Sequence, residues 1–222
     1  MRSPSWEVEG HDWPNRASSQ FVAVGRLRWH VQVMGDGPVM LLLHGTGAAT
    51  HSWRALAPLL AQHFTVVAPD LPGHGFTSGR PRGGLTMSAM ARRVSELLRA
   101  MELEPHAVVG HSAGTAIAIG MALDGLVCPA IIVGLDAALL PFPGLASRLF
   151  PALAKALFVN PLAPHIFARI ARTPGETGRF LERSTGSRIE PAGVKFYERL
   201  FATPGHCAGA IGMMADWDLA TF

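Results

Sequence analysis

The chain has 222 residues, 49% of them hydrophobic and 16% charged, which is enough apolar material for one domain with a sizeable core and excludes a disordered chain. Its formal net charge of +3 comes from basic residues spread along the chain, almost all of them Arg, with no aromatic interleaving, and this argues against a nucleic-acid partner. Two cysteines, Cys128 and Cys207, are too few for a disulfide framework and lack metal-ligand spacing, so a reducing compartment, no metal and no cofactor are expected.

Residues 1–18 read as an irregular lead-in with charges, prolines and tryptophans but no apolar signal region, and no later run reaches the ~18 apolar residues of a membrane span. A cytoplasmic, soluble protein is the expectation. Gln20–Val24 and Leu27–Met34 form two strands across Gly25-Arg26, the second placing Leu27, Trp29, Val31 and Val33 on one face. After the turn Gly35-Asp36-Gly37-Pro38, the unbroken apolar run Val39–Leu43 has the look of a parallel strand covered on both faces. His44-Gly45-Thr46-Gly47 follows, then a helix from His51 or Ser52 to about Ala61. Phe64–Ala68 is the next buried strand and ends in Pro69-Asp70-Leu71-Pro72-Gly73-His74-Gly75.

Beyond a polar loop, Thr86 caps an amphipathic helix whose apolar positions Met87, Met90, Val94, Leu97, Leu98 and Met101 recur at three- and four-residue steps. A short strand over Ala107–Val109, the pentapeptide Gly110-His111-Ser112-Ala113-Gly114, an all-apolar helix and a further strand at Ala130–Gly134 complete the alternation. Strands alternating with helices across short glycine turns predict a mostly parallel sheet with helices on both faces, and ligands of such sheets sit at the carboxyl ends of the strands. From Ala137 the pattern breaks into proline-punctuated helical pieces, with Leu145, Leu149, Leu153 and Leu157 four apart. Residues 1–136 thus read as a core, 137–203 as an inserted helical cap suited to cover an apolar pocket, and 204–222 as an incomplete return to the core.

Ser112 is the candidate nucleophile. Gly-x-Ser-x-Gly between a buried strand and an apolar helix is the sharp turn that lifts a serine hydroxyl above a sheet, and glycines flank it because a Cβ there would collide with strand or helix. A helix N-cap serine is the plainer reading of the same position. Acyl transfer also needs fixed donors for the developing oxyanion, and the backbone N–H groups of Ala113 and Thr46 are placed to supply them. Asp136, closing the Ala130–Gly134 strand, reads as a turn residue and as an alternative acid. His165 and His206, the histidines after Ser112, fall at no late strand end and make poor bases.

The loop after Leu43 supports a second reading. Gly45-Thr46-Gly47-Ala48-Ala49-Thr50, with Asp70 ending the next strand, approximates the fingerprint of a dinucleotide-binding oxidoreductase. Against it, Thr50 stands where a third small residue belongs and His44 separates the strand from the first glycine. Asp70 reads better as a carboxylate that organises its own loop.

With these strings assembled, the sequence resembles the α/β-hydrolase fold family through His44-Gly45, Asp70-Leu71-Pro72-Gly73-His74-Gly75 and Gly110-His111-Ser112-Ala113-Gly114. More narrowly it is similar to the magnesium-chelatase accessory hydrolases of bacteriochlorophyll biosynthesis. Trp13-Pro14-Asn15-Arg16, Leu27–Gln32, His44–Trp53, Ala138–Phe142 and Ala215–Leu219 carry that likeness. The resemblance implies a role in photosynthetic pigment synthesis around magnesium insertion, a link to magnesium chelatase, and an apolar substrate such as a porphyrin ester. It equally admits an accessory protein that binds a porphyrin intermediate without catalysis. Members of the fold continue past the cap with strands that carry the acid and histidine of the triad. Against that pattern the chain reads as C-terminally truncated at Phe222, with both partners beyond it.

Overall fold

The computed structural model describes residues 1–79, 83–139 and 159–217, together with 153, 155 and 156. Its centre is the apolar run of the third strand, β3 (Val39–Leu43). Successive side chains of a strand point to opposite faces, so a strand that is apolar throughout must be covered on both. Leu41 and Leu43 enter one core with Val67, Val108, Ile117 and Met90, while Met40 and Leu42 enter another with Trp53, Ala57, Val66 and Val109.

Around it lie β1 (Ser19–Val24), β2 (Leu27–Met34), β4 (Thr65–Pro69), β5 (Ser78–Gly79), β6 (Ala107–His111) and β7 (Ile131–Leu135). The order across the sheet is β1-β2-β4-β3-β6-β7, with the short β5 on β2. From β4 through β3 and β6 to β7 all pairings are parallel, and the antiparallel pairings are those of β2 with β1, β4 and β5. The mostly parallel α/β-hydrolase sheet is therefore present in these residues. Helices α2 (Met87–Ala100) and α3 (Ala113–Leu123) cover one face; α1 (Leu56–Leu60) covers the other. Thr86 caps α2 as its sequence suggests, its hydroxyl accepting the Ala89 N–H at 3.3 Å.

One local expectation is corrected. The helix expected from His51 or Ser52 to Ala61 is split into a 3₁₀ turn, Thr50–Trp53, and α1. Pro58 explains the break: it has no N–H to give a preceding turn, so an α-helix containing it must begin within about one turn before it. The lead-in of residues 1–18 is irregular, as expected, yet it is a working part of the core. It covers the second face of β2, where His30 and Gln32 are buried beside Trp29 and Val31. Gln32 Nε2 donates to the Pro14 carbonyl at 2.6 Å. Trp6 and Trp13 join Phe21, Phe76, Phe196 and Leu200 in a separate apolar cluster.

After β7 the described helices are α4 (Ala163–Ala171), α5 (Glu176–Thr185), α6 (Pro191–Phe201) and α7 (Pro204–Ala215). Prolines sit in the first turn of α4, α6 and α7, where a missing N–H costs nothing and the fixed φ favours a start. Most of the leucine repeat from Leu145 to Leu157 lies outside the described residues. Helix α7 returns to the core: Met213 is fully buried against the Leu41 cluster, and a Cβ at Gly209 would overlap the Gly73 carbonyl.

Candidate functional site

Strand β6 passes into α3 through one residue, Ser112, at φ 50° and ψ −117°. A side-chain-bearing residue held there costs roughly 1–3 kcal/mol, so its surroundings must impose the conformation. They do so at backbone contact distance. A Cβ on Gly110 would overlap the Thr115 backbone, and one on Gly114 would overlap the Leu43 carbonyl. The Ser112 N–H donates to the Leu135 carbonyl at 2.9 Å, while the Ser112 carbonyl accepts from Thr115 N at 3.0 Å and Ala138 N at 3.3 Å. The ends of β3, β6 and β7 thus fix the half-buried serine between them.

The loop after β3 is pressed against the same turn. A Cβ on Gly45 would lie 3.1 Å from Ser112 Cβ and 3.0 Å from His111 Nδ1, so glycine is what permits the approach. The Ala48 N–H donates to the Gly45 carbonyl at 3.1 Å, closing a turn with Gly47 at φ 75° in its third position. His44 locks that turn from beneath, donating from Nδ1 to the Gly45 carbonyl at 2.8 Å and accepting the Leu71 N–H on Nε2 at 2.9 Å. Among the described residues, neither the Thr46 N–H nor the Ala113 N–H donates a hydrogen bond. The Thr46 hydroxyl is turned toward α7 and donates to Met213 Sδ at 3.4 Å.

Asp70 organises the neighbouring loop. Its Oδ1 accepts the Thr50 N–H at 2.7 Å, and its Oδ2 accepts Phe76 N at 2.8 Å and His30 Nδ1 at 2.7 Å. Burial pushes the carboxyl up, but the His30 imidazole and these donors outweigh it and hold it below the ordinary carboxylate range. Fully buried and holding three donors of its own fold, Asp70 is out of a ribose's reach, which removes the dinucleotide reading.

His206 is the residue the sequence did not bring to the site. It stands in the first turn of α7, donates from Nε2 to the Gly47 carbonyl at 3.0 Å and accepts the Gly75 N–H on Nδ1 at 3.2 Å. Burial lowers its imidazole to about 4, so it is neutral at physiological pH with both nitrogens occupied. Phe201 covers Gly47 beside it, its ring edge-on to His206 at 5.4 Å. The one sequence-level hint was the spacing of small residues Gly205 and Gly209 around His206, a mark of close backbone approach.

The other histidines divide by burial. His44, His51 and His74 are fully buried, and burial lowers all three. His111 is half-buried; burial lowers it too, against the opposing charge of Asp136. Asp136 occupies the turn just after β7 at φ 48°, exposed, next to the backbone that holds Ser112. His165 is exposed on α4. Among the described residues no hydrogen bond joins the Ser112 hydroxyl to a histidine, and no cluster of His, Cys, Asp and Glu could hold a metal ion. Thr46 and Asp136 thus stand in the two segments that adjoin the Ser112 turn, Ala113 follows the serine directly, and His165 is exposed on α4.

Residues 38–134 match the family described as the alpha/beta hydrolase fold. Over 210 residues the chain is 40% identical to the magnesium-chelatase 30 kDa subunit of Rhodobacter capsulatus, an alignment spanning 94% of this chain and 73% of that protein. A fluoroacetate dehalogenase from a Burkholderia species is 40% identical over 109 residues, 47% of this chain and 36% of that one. Among solved structures, Cfl2 of Burkholderia cenocepacia superposes with a TM-score of 0.72 at 27% identity, covering 89% of this chain and 70% of its own.

Proposed function

The chain belongs to the α/β-hydrolase fold family, and on that premise we propose that it is a serine hydrolase of bacteriochlorophyll synthesis, acting by acyl transfer on an apolar ester close to the magnesium-chelatase step. A fold of this kind hosts many reactions, so the reading rests on the site. The observation that carries it is Ser112 itself: a serine kept at φ 50° by backbone contacts on every side, where a relaxed turn would have been available. In this reading Ser112 Oγ attacks the ester carbonyl, and its proton passes to a general base as the tetrahedral oxyanion forms. The N–H groups of Thr46 and Ala113 receive that oxyanion; they are preorganised by the His44-braced turn and by the start of α3, and carry no competing bond. Collapse expels the alcohol, and water then releases the acid from the serine.

His44 and His206 have both ring nitrogens bonded and His165 is exposed, so this reading assigns the base to none of the three. The likeness to a subunit named for magnesium chelatase supports a porphyrin-derived substrate and an association with that enzyme. The absence of any bond between a described histidine and Ser112 favours a second reading, a non-catalytic accessory protein that holds a porphyrin intermediate under the cap. A fluorophosphonate probe separates the two. Labelling of the full-length protein that disappears in Ser112→Ala supports the hydrolase. No Ser112-dependent labelling, with porphyrin binding unchanged in Ser112→Ala, supports the accessory protein.

A further inference from the structure

Cap helix α4 turns its small residues inward and its large apolar ones outward. Ala163, Pro164 and Ala168 are buried against the neighbouring cap helices, whereas Leu162, Ile166, Phe167 and Ile170 are 63%, 53%, 40% and 49% exposed. At about 100° per residue Leu162, Ile166 and Ile170 fall within about 80° of one another, Phe167 lies about 60° further round beyond the buried Ala163, and His165, Arg169 and Arg172 form the sector on the other side. A surface helix of a water-soluble domain normally buries such a stripe. The next helix repeats the pattern: Phe180 is 53% exposed on α5, on the same side as Arg179 and Arg183.

Charge is concentrated on the same elements. Residues 159–188 contain five Arg and two Glu, a net of +3, which equals the formal net charge of the whole chain, so the remainder balances to zero. Arg179 pairs with Glu176 and Arg172 donates to the Ala202 carbonyl at 3.0 Å, but Arg169, Arg183 and Arg188 have no ion-pair partner among the described residues.

We propose that this outer face of the cap is a docking surface for an anionic lipid bilayer. The stripe on α4, with Phe180, would enter the boundary between headgroups and acyl chains, and the unpaired arginines would face the headgroup phosphates. Exposed aliphatic and aromatic side chains bordered by arginine suit that boundary, which is apolar on one side and negatively charged on the other. A second copy of the chain is the poorer occupant, since it would set one +3 surface against another. No helix among the described residues is long and apolar enough to cross a membrane, so attachment by this face is peripheral and reversible. The inference does not depend on Ser112 or on any reaction there.

Vesicle flotation of the full-length protein tests it. The protein should float with vesicles of phosphatidylcholine containing about one third phosphatidylglycerol, less so as salt rises, and should not float with phosphatidylcholine alone. Ile166→Ser with Ile170→Ser, and separately Arg169→Glu with Arg183→Glu, should each lower the bound fraction at least about tenfold. Leu123→Ser, which removes an equally exposed leucine at the far end of α3, should float as the parent does. Circular dichroism and thermal unfolding confirm that the variants are folded, as expected for substitutions at exposed positions. The proposal is overturned if the parent fails to float with the phosphatidylglycerol vesicles, or if either double variant floats as well as the parent. It is equally overturned if light scattering shows a dimer that the isoleucine variant dissociates, because the stripe would then be a protein interface.

Discussion

The Nε2–H of His206 donates to the Gly47 carbonyl across 3.0 Å, so that a cap-side helix holds the loop lying beside Ser112. The opposite nitrogen takes the Gly75 N–H, and one imidazole therefore joins α7, the loop after β3 and the loop after β4. Accepting the Gly75 N–H requires the neutral ring, because protonation removes the Nδ1 lone pair while leaving the Nε2–H donor in place. Burial lowers its folded value to about 4 from an ordinary 6.5, which means that protons bind the unfolded chain first. Its contribution is fully present above about pH 6.5, is lost as the pH falls toward 4, and is constant below that, a span of about 3 kcal/mol. His44, His51 and His74 act with the same sign, since burial lowers each of them. Urea unfolding should therefore show a midpoint that falls as the pH drops from about 6.5 toward 4. The fall should be shallower in His206→Asn; an unchanged slope in that variant would show that its ring does not titrate in this way.

Gly114 and Ser112 should respond in opposite directions to one-carbon changes. A Cβ at Gly114 overlaps the Leu43 carbonyl, which is backbone and cannot swing aside, so Gly114→Ala should cost upwards of about 3 kcal/mol. Ser112→Gly removes a Cβ from a conformation that glycine adopts freely, and should raise stability by about 1 kcal/mol while abolishing probe labelling. Equilibrium denaturation of the two variants checks both signs.

The lead-in offers a contrast between a buried and an exposed tie. Trp13 is 2% exposed, donates from Nε1 to Thr50 Oγ1 at 2.9 Å, and packs edge-on against Phe76 and Phe196. Trp13→Ala should cost about 3–5 kcal/mol. Asp12 meets Arg199 of α6 in a bidentate pair, with Nη2 to Oδ2 at 2.8 Å, and that guanidinium lowers its carboxyl to about 2. The Asp12 side chain is half exposed, however, so Asp12→Asn should change stability by no more than about 1 kcal/mol. Parallel thermal melts of the two proteins measure the difference.

The two thiols should react unequally. Cys128 is exposed, whereas Cys207 is buried in α7, donates to the Phe201 carbonyl at 3.2 Å, and is pushed by burial up to about 12. Iodoacetamide at neutral pH should modify Cys128 alone, and Cys207 should become reactive only on unfolding. Peptide mass mapping before and after denaturation reads this directly.

Much of the sheet was legible because its strands are local patterns. Val39–Leu43 and Ala107–Val109 are apolar runs with turn residues close on either side, and Thr86 announces α2 by ordinary capping chemistry. Asp70 was readable as a loop organiser because the Leu-Pro-Gly-His-Gly run after it supplies N–H groups and sharp turns. The split of the expected Ser52–Ala61 helix was readable too, had Pro58 been given its full weight. By contrast the lead-in showed no periodicity, and its tryptophans earn their burial only from partners such as Phe76 and Phe196, far away in the chain.

By itself the sequence determined the alternation of strands and helices and the backbone turn at Ser112, because hydrophobic period and glycine sterics act between near neighbours. Only the tertiary structure decided that His206 braces the Gly47 loop, that Trp13 belongs to the core, and that α4 turns its isoleucines outward. Each of those is a contact, or a missing contact, between segments more than a hundred residues apart or on separate elements. No local spacing encodes such relations; they come into being when the sheet has formed and α7 has packed its Gly209 against Gly73.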